Sequence, residues 1–186
     1  DHLFLGTAMI AFDSDSVSVE EAHFQTLGLG HGLTVKAGRY FSGLGYQNSI
    51  HAHAWDFVDP SLVQRAFLGS NYGDDGVQVS WIAPLPVYVE FGGELGRGKS
   101  MPGAFKDGDL ANNDRNRNGV GSEVLYARLG GDLSESHSYR LGLSHLRTST
   151  GPNAFSLADF NTLTGLQNTW TNGTARLYGA DLVWKW

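Results

Sequence analysis

The chain has no cysteine, so disulfides and cysteine-ligated metals are excluded. Charge is scarce as well: Asp, Glu, Lys and Arg make up 17% of 186 residues, below the usual quarter. The formal net charge of −6 leaves no basic stripe for phosphates, and nucleic acid is not an expected partner. No apolar run approaches the roughly 18 residues of a spanning helix, which excludes a helical membrane protein. Nucleophile elbow, HExxH and glycine-rich phosphate loop are all missing, so no enzyme is expected. Signal peptide and initiator Met are missing too, and Asp1 reads as the start of a processed or excised piece.

What is there fits a different kind of membrane protein. Hydrophobic residues reach 41%, aromatic residues 12%, and there are 25 glycines. A transmembrane β-barrel needs this combination: aromatic girdles, a lipid-facing band, and glycines where strands crowd. The chain is organised around residues 77–97, two alternating runs joined by Pro84-Leu85-Pro86. Val77, Val79 and Trp81 share one face of the first run, and Val87, Val89 and Phe91 share one face of the second. Proline cannot donate to a ladder, so pairing stops and the chain reverses there. The result is a β-hairpin with one apolar face.

Taken in order, 3–12 is an apolar strand, 13–16 an Asp/Ser turn, 19–27 a second strand and 28–32 a glycine-flanked reversal around His31. A third strand covers 33–40. The connection 41–75 follows, with a helix predicted over 61–68 from Pro60 before it and Gly69 after it. Beyond the hairpin lie a long polar connection 98–122, strands at 124–133 and 139–146 around a short turn, a third long connection 147–173, and a last strand 174–186. Tight connections (28–32, 84–86, 134–138) thus alternate with long ones, apart from 13–16. Outer-membrane barrels have this layout, short turns at one rim and long loops at the other. The expected fold is all-β: an antiparallel up-and-down transmembrane β-barrel of about eight strands, one domain over 1–186, in the bacterial outer membrane.

The run from Glu20 to Gly69, with HAHAWDF at 51–57 and RAFLG at 65–69, and the opening DDGVQVSW at 74–81 resemble the porin-like Gram-negative outer-membrane proteins related to the phosphate-selective porins. Within that group they are most similar to a branch labelled zinc-regulated TonB-dependent outer-membrane receptor. The resemblance implies a passive channel and, because such proteins are longer, that these residues form a segment of a larger barrel. Neither a plug domain nor a TonB box is visible, so TonB-energised transport does not follow.

The face opposite the apolar residues supplies the expected lumen lining: His23, Lys36, Glu90, Glu94, Arg128, Asp132 and Arg140. Both signs of charge occur there, so the set gives no ion selectivity, and the excess of carboxylates argues against a phosphate pore. His51 and His53, two apart, would point the same way in an extended segment and could share a Zn2+ ion with Asp56, Asp59 or His23 as a third ligand; two loop histidines can equally hydrogen-bond to the wall. No other cofactor is implied. The run 114–119 opens like a calcium loop, but Leu125 stands where the twelfth-position Glu belongs and two arginines oppose a cation. The expected function is a porin-like channel for ions or small solutes, narrowed by loop 41–75, with outer-membrane lipid as partner and a homo-oligomer as one arrangement. The alternatives are a receptor that captures zinc through the loop histidines and a structural membrane anchor. For the facing, a charge at Val89 is expected to block assembly and one at Gly92 to be tolerated.

Overall fold

The computed structural model describes residues 2–98, 120–150, 153–156, 167–170 and 173–186; the calcium-like run 114–119 lies outside them. Among the described residues ten strands form: β1 Phe4–Phe12, β2 Val17–Thr26, β3 Leu33–Phe41, β4 Gly73–Ile82, β5 Tyr88–Gly96, β6 Ser122–Ser134, β7 His137–Thr150, β8 Asn153–Ser156, β9 Gln167–Trp170 and β10 Gly173–Lys185. Eight of them make one antiparallel sheet in the order β1-β2-β3-β4-β5-β6-β7-β10, while β8 and β9 pair separately as a hairpin. Every neighbour in the large sheet is a neighbour in sequence apart from the β8–β9 excursion. Among the described residues the sheet is not closed: β1 pairs only with β2, and β10 only with β7.

The turns follow from their residues. Gly30, His31 and Gly32 all have positive φ, the conformation glycine adopts without steric cost, and Ile82 N–H donates to Gly32 O at 2.9 Å. The prolines of the 77–97 hairpin sit in the bend between Ile82 and Tyr88, outside the ladder. Two of the long connections are shorter than the sequence predicts, because polar and glycine residues extend a strand when a neighbour supplies the ladder. β4 starts at Gly73 and pairs back to Phe41; β7 runs to Thr150 and pairs with β10 at Gly173.

Alternation along each strand gives the sheet two unlike faces. The outer face carries Phe24, Leu33, Val77, Val79, Trp81, Phe91, Leu125, Leu143, Leu182 and Trp184, all exposed. Its charges gather at the end bearing the long connections: Arg39 and Arg97 approach Asp75 at 2.7 and 4.0 Å, and Arg147 approaches Glu123 at 3.4 Å. At the short-turn end the ring of Trp81 stacks on Phe91 with centroids 6.1 Å apart, and Trp184 meets His137. The indole nitrogens there donate to His31 O and to His137 Nδ1. An apolar band between a row of charges and a row of hydrogen-bonded indoles results.

The inner face is covered by the segment 42–72, which holds the 3-10 turns Gln47–Ser49 and Ala52–Ala54 and the helix α1, Leu62–Leu68. Ser61 is the cap of α1, accepting from Gln64 N–H at 3.3 Å, and Gly69 with φ 73° ends it. The helix thus begins one residue later than predicted. The core lies between sheet and segment: Leu44, Leu68 and Tyr72 pack on Val124, Tyr126 and Leu146, with Leu177 against them. Among the described residues no helix is long and apolar enough to cross a membrane, which says nothing of a β-barrel.

Candidate functional site

The site is the cleft between the inner face and the segment 42–72, and its neck is closed by one side chain. Asn48 is 2% exposed. Its amide nitrogen donates to Ser42 O and Tyr72 O, both at 2.8 Å, and its amide oxygen accepts from Tyr72 N–H at 2.6 Å. Ser42 N–H adds a bond to Tyr72 O at 2.9 Å. The two ends of a 31-residue excursion are therefore held together by a side chain from its own interior. Inside it, Asn71 donates to Asn48 O and Ile50 O, and Trp55 to Ile50 O.

Inner-face carboxylates fasten this excursion to the wall. Glu94 accepts Gly43 N–H at 2.7 Å and the amide of its cross-strand neighbour Gln78 at 2.6 Å. Glu21 accepts Phe41 N–H, and Asp74 accepts Gly98 N–H and the Ser122 hydroxyl. Each carboxylate thus takes a backbone N–H at the base of a connection, where a charged acceptor makes the stronger kind of hydrogen bond. Tyr72 also donates to Asp74; burial, with Asp74 beside it, pushes its phenol up, so it stays a neutral donor.

Arg128 completes the fastening. One guanidinium nitrogen donates to Glu90 at 2.9 Å and the other to Gly43 O at 2.8 Å, while the group lies 4.2 Å from the centre of the Tyr126 ring. Tyr126 in turn covers Gly92, its cross-strand partner. A Cβ on Gly92 would stand 2.0 Å from the Tyr126 ring. A charge at Gly92 is therefore expected to be costly, against the sequence expectation of tolerance: the position faces inward as predicted, but Tyr126 fills the space in front of it.

The sequence-predicted lining residues sort into three groups. Glu90, Glu94 and Arg128 are brought together, as tethers of the segment. His23 is buried on the inner face, with Nδ1 3.3 Å from Arg39 O, and Lys36 lies over the Tyr40 ring at 5.6 Å. Arg140 lies 5.1 Å from the Tyr46 ring at the β10 side of the cleft, and Asp132 is exposed near the β6–β7 turn. The residues that sequence reasoning missed are Asn48, Asp74, Tyr72 and Tyr126. An inward tyrosine opposite an inward glycine was the available signal for the last of these.

The histidines do not lie in an extended strand. His51 precedes the turn Ala52–Ala54 and its ring stacks on His53 with centroids 5.7 Å apart. Its Nε2 is 3.1 Å from Glu21 and its Nδ1 3.4 Å from Glu20. Asp56 lies in the exposed bend that follows. Among the described residues no group of three or more His, Asp or Glu side chains is placed to hold a metal ion. Both ring nitrogens of His51 already face carboxylates of β2, which is a reason for its position without a metal. Titration calorimetry with Zn(II) is expected to give equal heats for the wild type and for His51→Ala/His53→Ala; a high-affinity step lost in the double variant would restore the zinc site.

The chain is 33% identical over 190 residues to an uncharacterized protein of Aquifex aeolicus (strain VF5), a match covering 96% of this chain and 37% of that relative. The chain therefore spans little more than a third of the length of the relative it matches. No family model matches the chain, and no solved structure does.

Proposed function

We propose that the chain is part of the wall of an outer-membrane β-barrel, porin-like, through which ions or small solutes diffuse past a constriction made by the segment 42–72. The observation that carries this reading is the inversion of the two faces. An eight-stranded sheet of a water-soluble protein buries its apolar face, yet here the apolar side chains of the outer face are exposed and carboxylates, amides and tyrosines lie inside. A lipid environment removes that contradiction, because outward apolar and inward polar residues are the rule for barrels in a bilayer. The row of charges at one end and of indoles at the other would then stand at the two membrane surfaces.

Leu143 gives the test. It is 56% exposed in the middle of the outer face, beside Ala127 and Ala180. In a barrel, Leu143→Arg is expected to cost about 2–4 kcal/mol of folding into lipid vesicles, the usual penalty for a cation near the midplane. At an exposed position of a water-soluble sheet the same change stays within about 0.5 kcal/mol. Urea titration of the two chains in vesicles measures the difference, and a value near zero removes the lipid-facing assignment.

A further inference from the structure

We propose that the free edge of β10, with the groove beside it, is the seat of a further antiparallel strand supplied by the remainder of a longer polypeptide, and that β1 of this chain does not occupy it. This rests on the barrel reading above and adds which strand closes against which.

The first argument is room. An eight-stranded barrel leaves an interior just filled by its own side chains. The inner face here already carries the segment 42–72 with α1, and a helix with its side chains is about 10–12 Å across. Barrels that do enclose a helix use about 11 strands. Closing β1 onto β10 would leave no space for the excursion that Asn48, Glu94 and Arg128 hold in place. More strands must stand between the two edges.

The second argument is the groove itself. It has a volume of about 340 Å³ and runs between α1, at Val63 and Phe67, and the consecutive residues Leu177 to Val183 of β10. Consecutive residues of a strand belong to both of its faces, so the wall of this groove is the edge of β10 that no strand pairs with among the described residues. A strand laid along β10 would bring an inward side chain to the level of Leu177 and Phe67. That side chain should be apolar, and the outward residues of the strand should continue the band of Leu182 and Trp184.

The third argument is length. Nearly two thirds of the Aquifex relative lies outside the match, ample for the missing strands. Among the described residues no strand pairs with the far edge of β10, and a free edge of 13 residues would otherwise invite aggregation.

The test is photo-cross-linking in the complete polypeptide, expressed in its own membranes, with benzoylphenylalanine at Ala180 and, in a second variant, at Val183. The expected product is an internal cross-link, at monomer mass on a denaturing gel, from either position to a peptide outside residues 1–186. A control at Leu143 should give links to β6 and β10 only. Cross-links from Ala180 or Val183 to residues 4–12 of the same chain, a product of dimer mass, or no product at either position would each overturn the proposal. Vesicle flotation of the same samples separates the two readings. A link to residues 4–12 in the floating fraction defeats the strand seat alone, whereas the expected link in protein that stays with the aqueous fraction defeats the lipid reading alone.

Discussion

Asn48→Ala is expected to open the segment 42–72 while leaving the eight-stranded sheet paired. The side chain joins three backbone groups at the neck, and alanine reaches none of them. Tyr72 O keeps its bond from Ser42 N–H, so Tyr72 N–H and Ser42 O are the groups that lose the partner shown for them. A buried polar group left unsatisfied costs about 1–3 kcal/mol, which puts the change at about 2–6 kcal/mol. At the lower figure the opening equilibrium of the segment already shifts about 30-fold. Amide exchange at Tyr72 and proteolysis within 50–60 should rise by at least that factor, with exchange of β4 to β6 unchanged. Asn48→Asp should do no better, since a carboxylate restores the acceptor for Tyr72 N–H but faces the two carbonyls without a donor. If wild type and Asn48→Ala are cleaved at the same rate, the neck is held by something other than Asn48.

That clasp could not have been read from the sequence, and the reason is general to the site. Asn48 sits in a run, QNSIHAHAWD, whose histidines draw attention because their chemistry is distinctive. An asparagine that bonds only to backbone has no partner in the sequence to betray it. The eight strands of the large sheet, by contrast, were legible, though β4 and β7 each run four residues further into a connection than predicted and the β8–β9 hairpin was missed. Period-two alternation records which face is polar, and Val77, Val79 and Trp81 against Gln78 and Ser80 leave a single register for the hairpin. The helix was legible from Pro60 and Gly69, and the inward folding of its connection from the aromatic residues it carries.

The roles of the charged residues were only half legible. Alternation places Glu90, Glu94 and Arg128 on the inner face, and they are there. It does not say whether an inward charge faces a lumen or a covering segment. Gly92, Tyr126 and Gly43 decide that. A glycine in the strand makes room for the ring, the ring is covered by a second glycine from the excursion, and Arg128 reaches past it to Gly43 O. The size pattern of the inward residues held this information, but only once the pairing of β5 with β6 was known. Closure of the sheet was illegible for a simpler reason: an edge strand differs from an interior strand only by what lies next to it.

Arg128 is the residue at which the wall and the constriction can be separated by experiment. Its guanidinium bonds Glu90 on β5 and Gly43 O at the start of the excursion, and the two side chains of the ion pair are 13% and 10% exposed. Removing one member of a buried pair costs about 3–5 kcal/mol, largely because the other charge is left behind. Arg128→Met is therefore expected to lose about that much stability against urea. Adding Glu90→Gln should return most of it, because the orphaned charge is then gone and Tyr88 can still hydrogen-bond the amide. The tether to Gly43 O is lost in both variants. If the excursion narrows a conducting lumen, the complete polypeptide in a planar bilayer should show larger or noisier conductance steps in both variants, the stable double variant included. A double variant that regains stability and conducts like wild type would mean that Arg128 braces the wall and does not hold the constriction. Single variants as stable as wild type would mean that the pair is not the buried contact that its geometry describes.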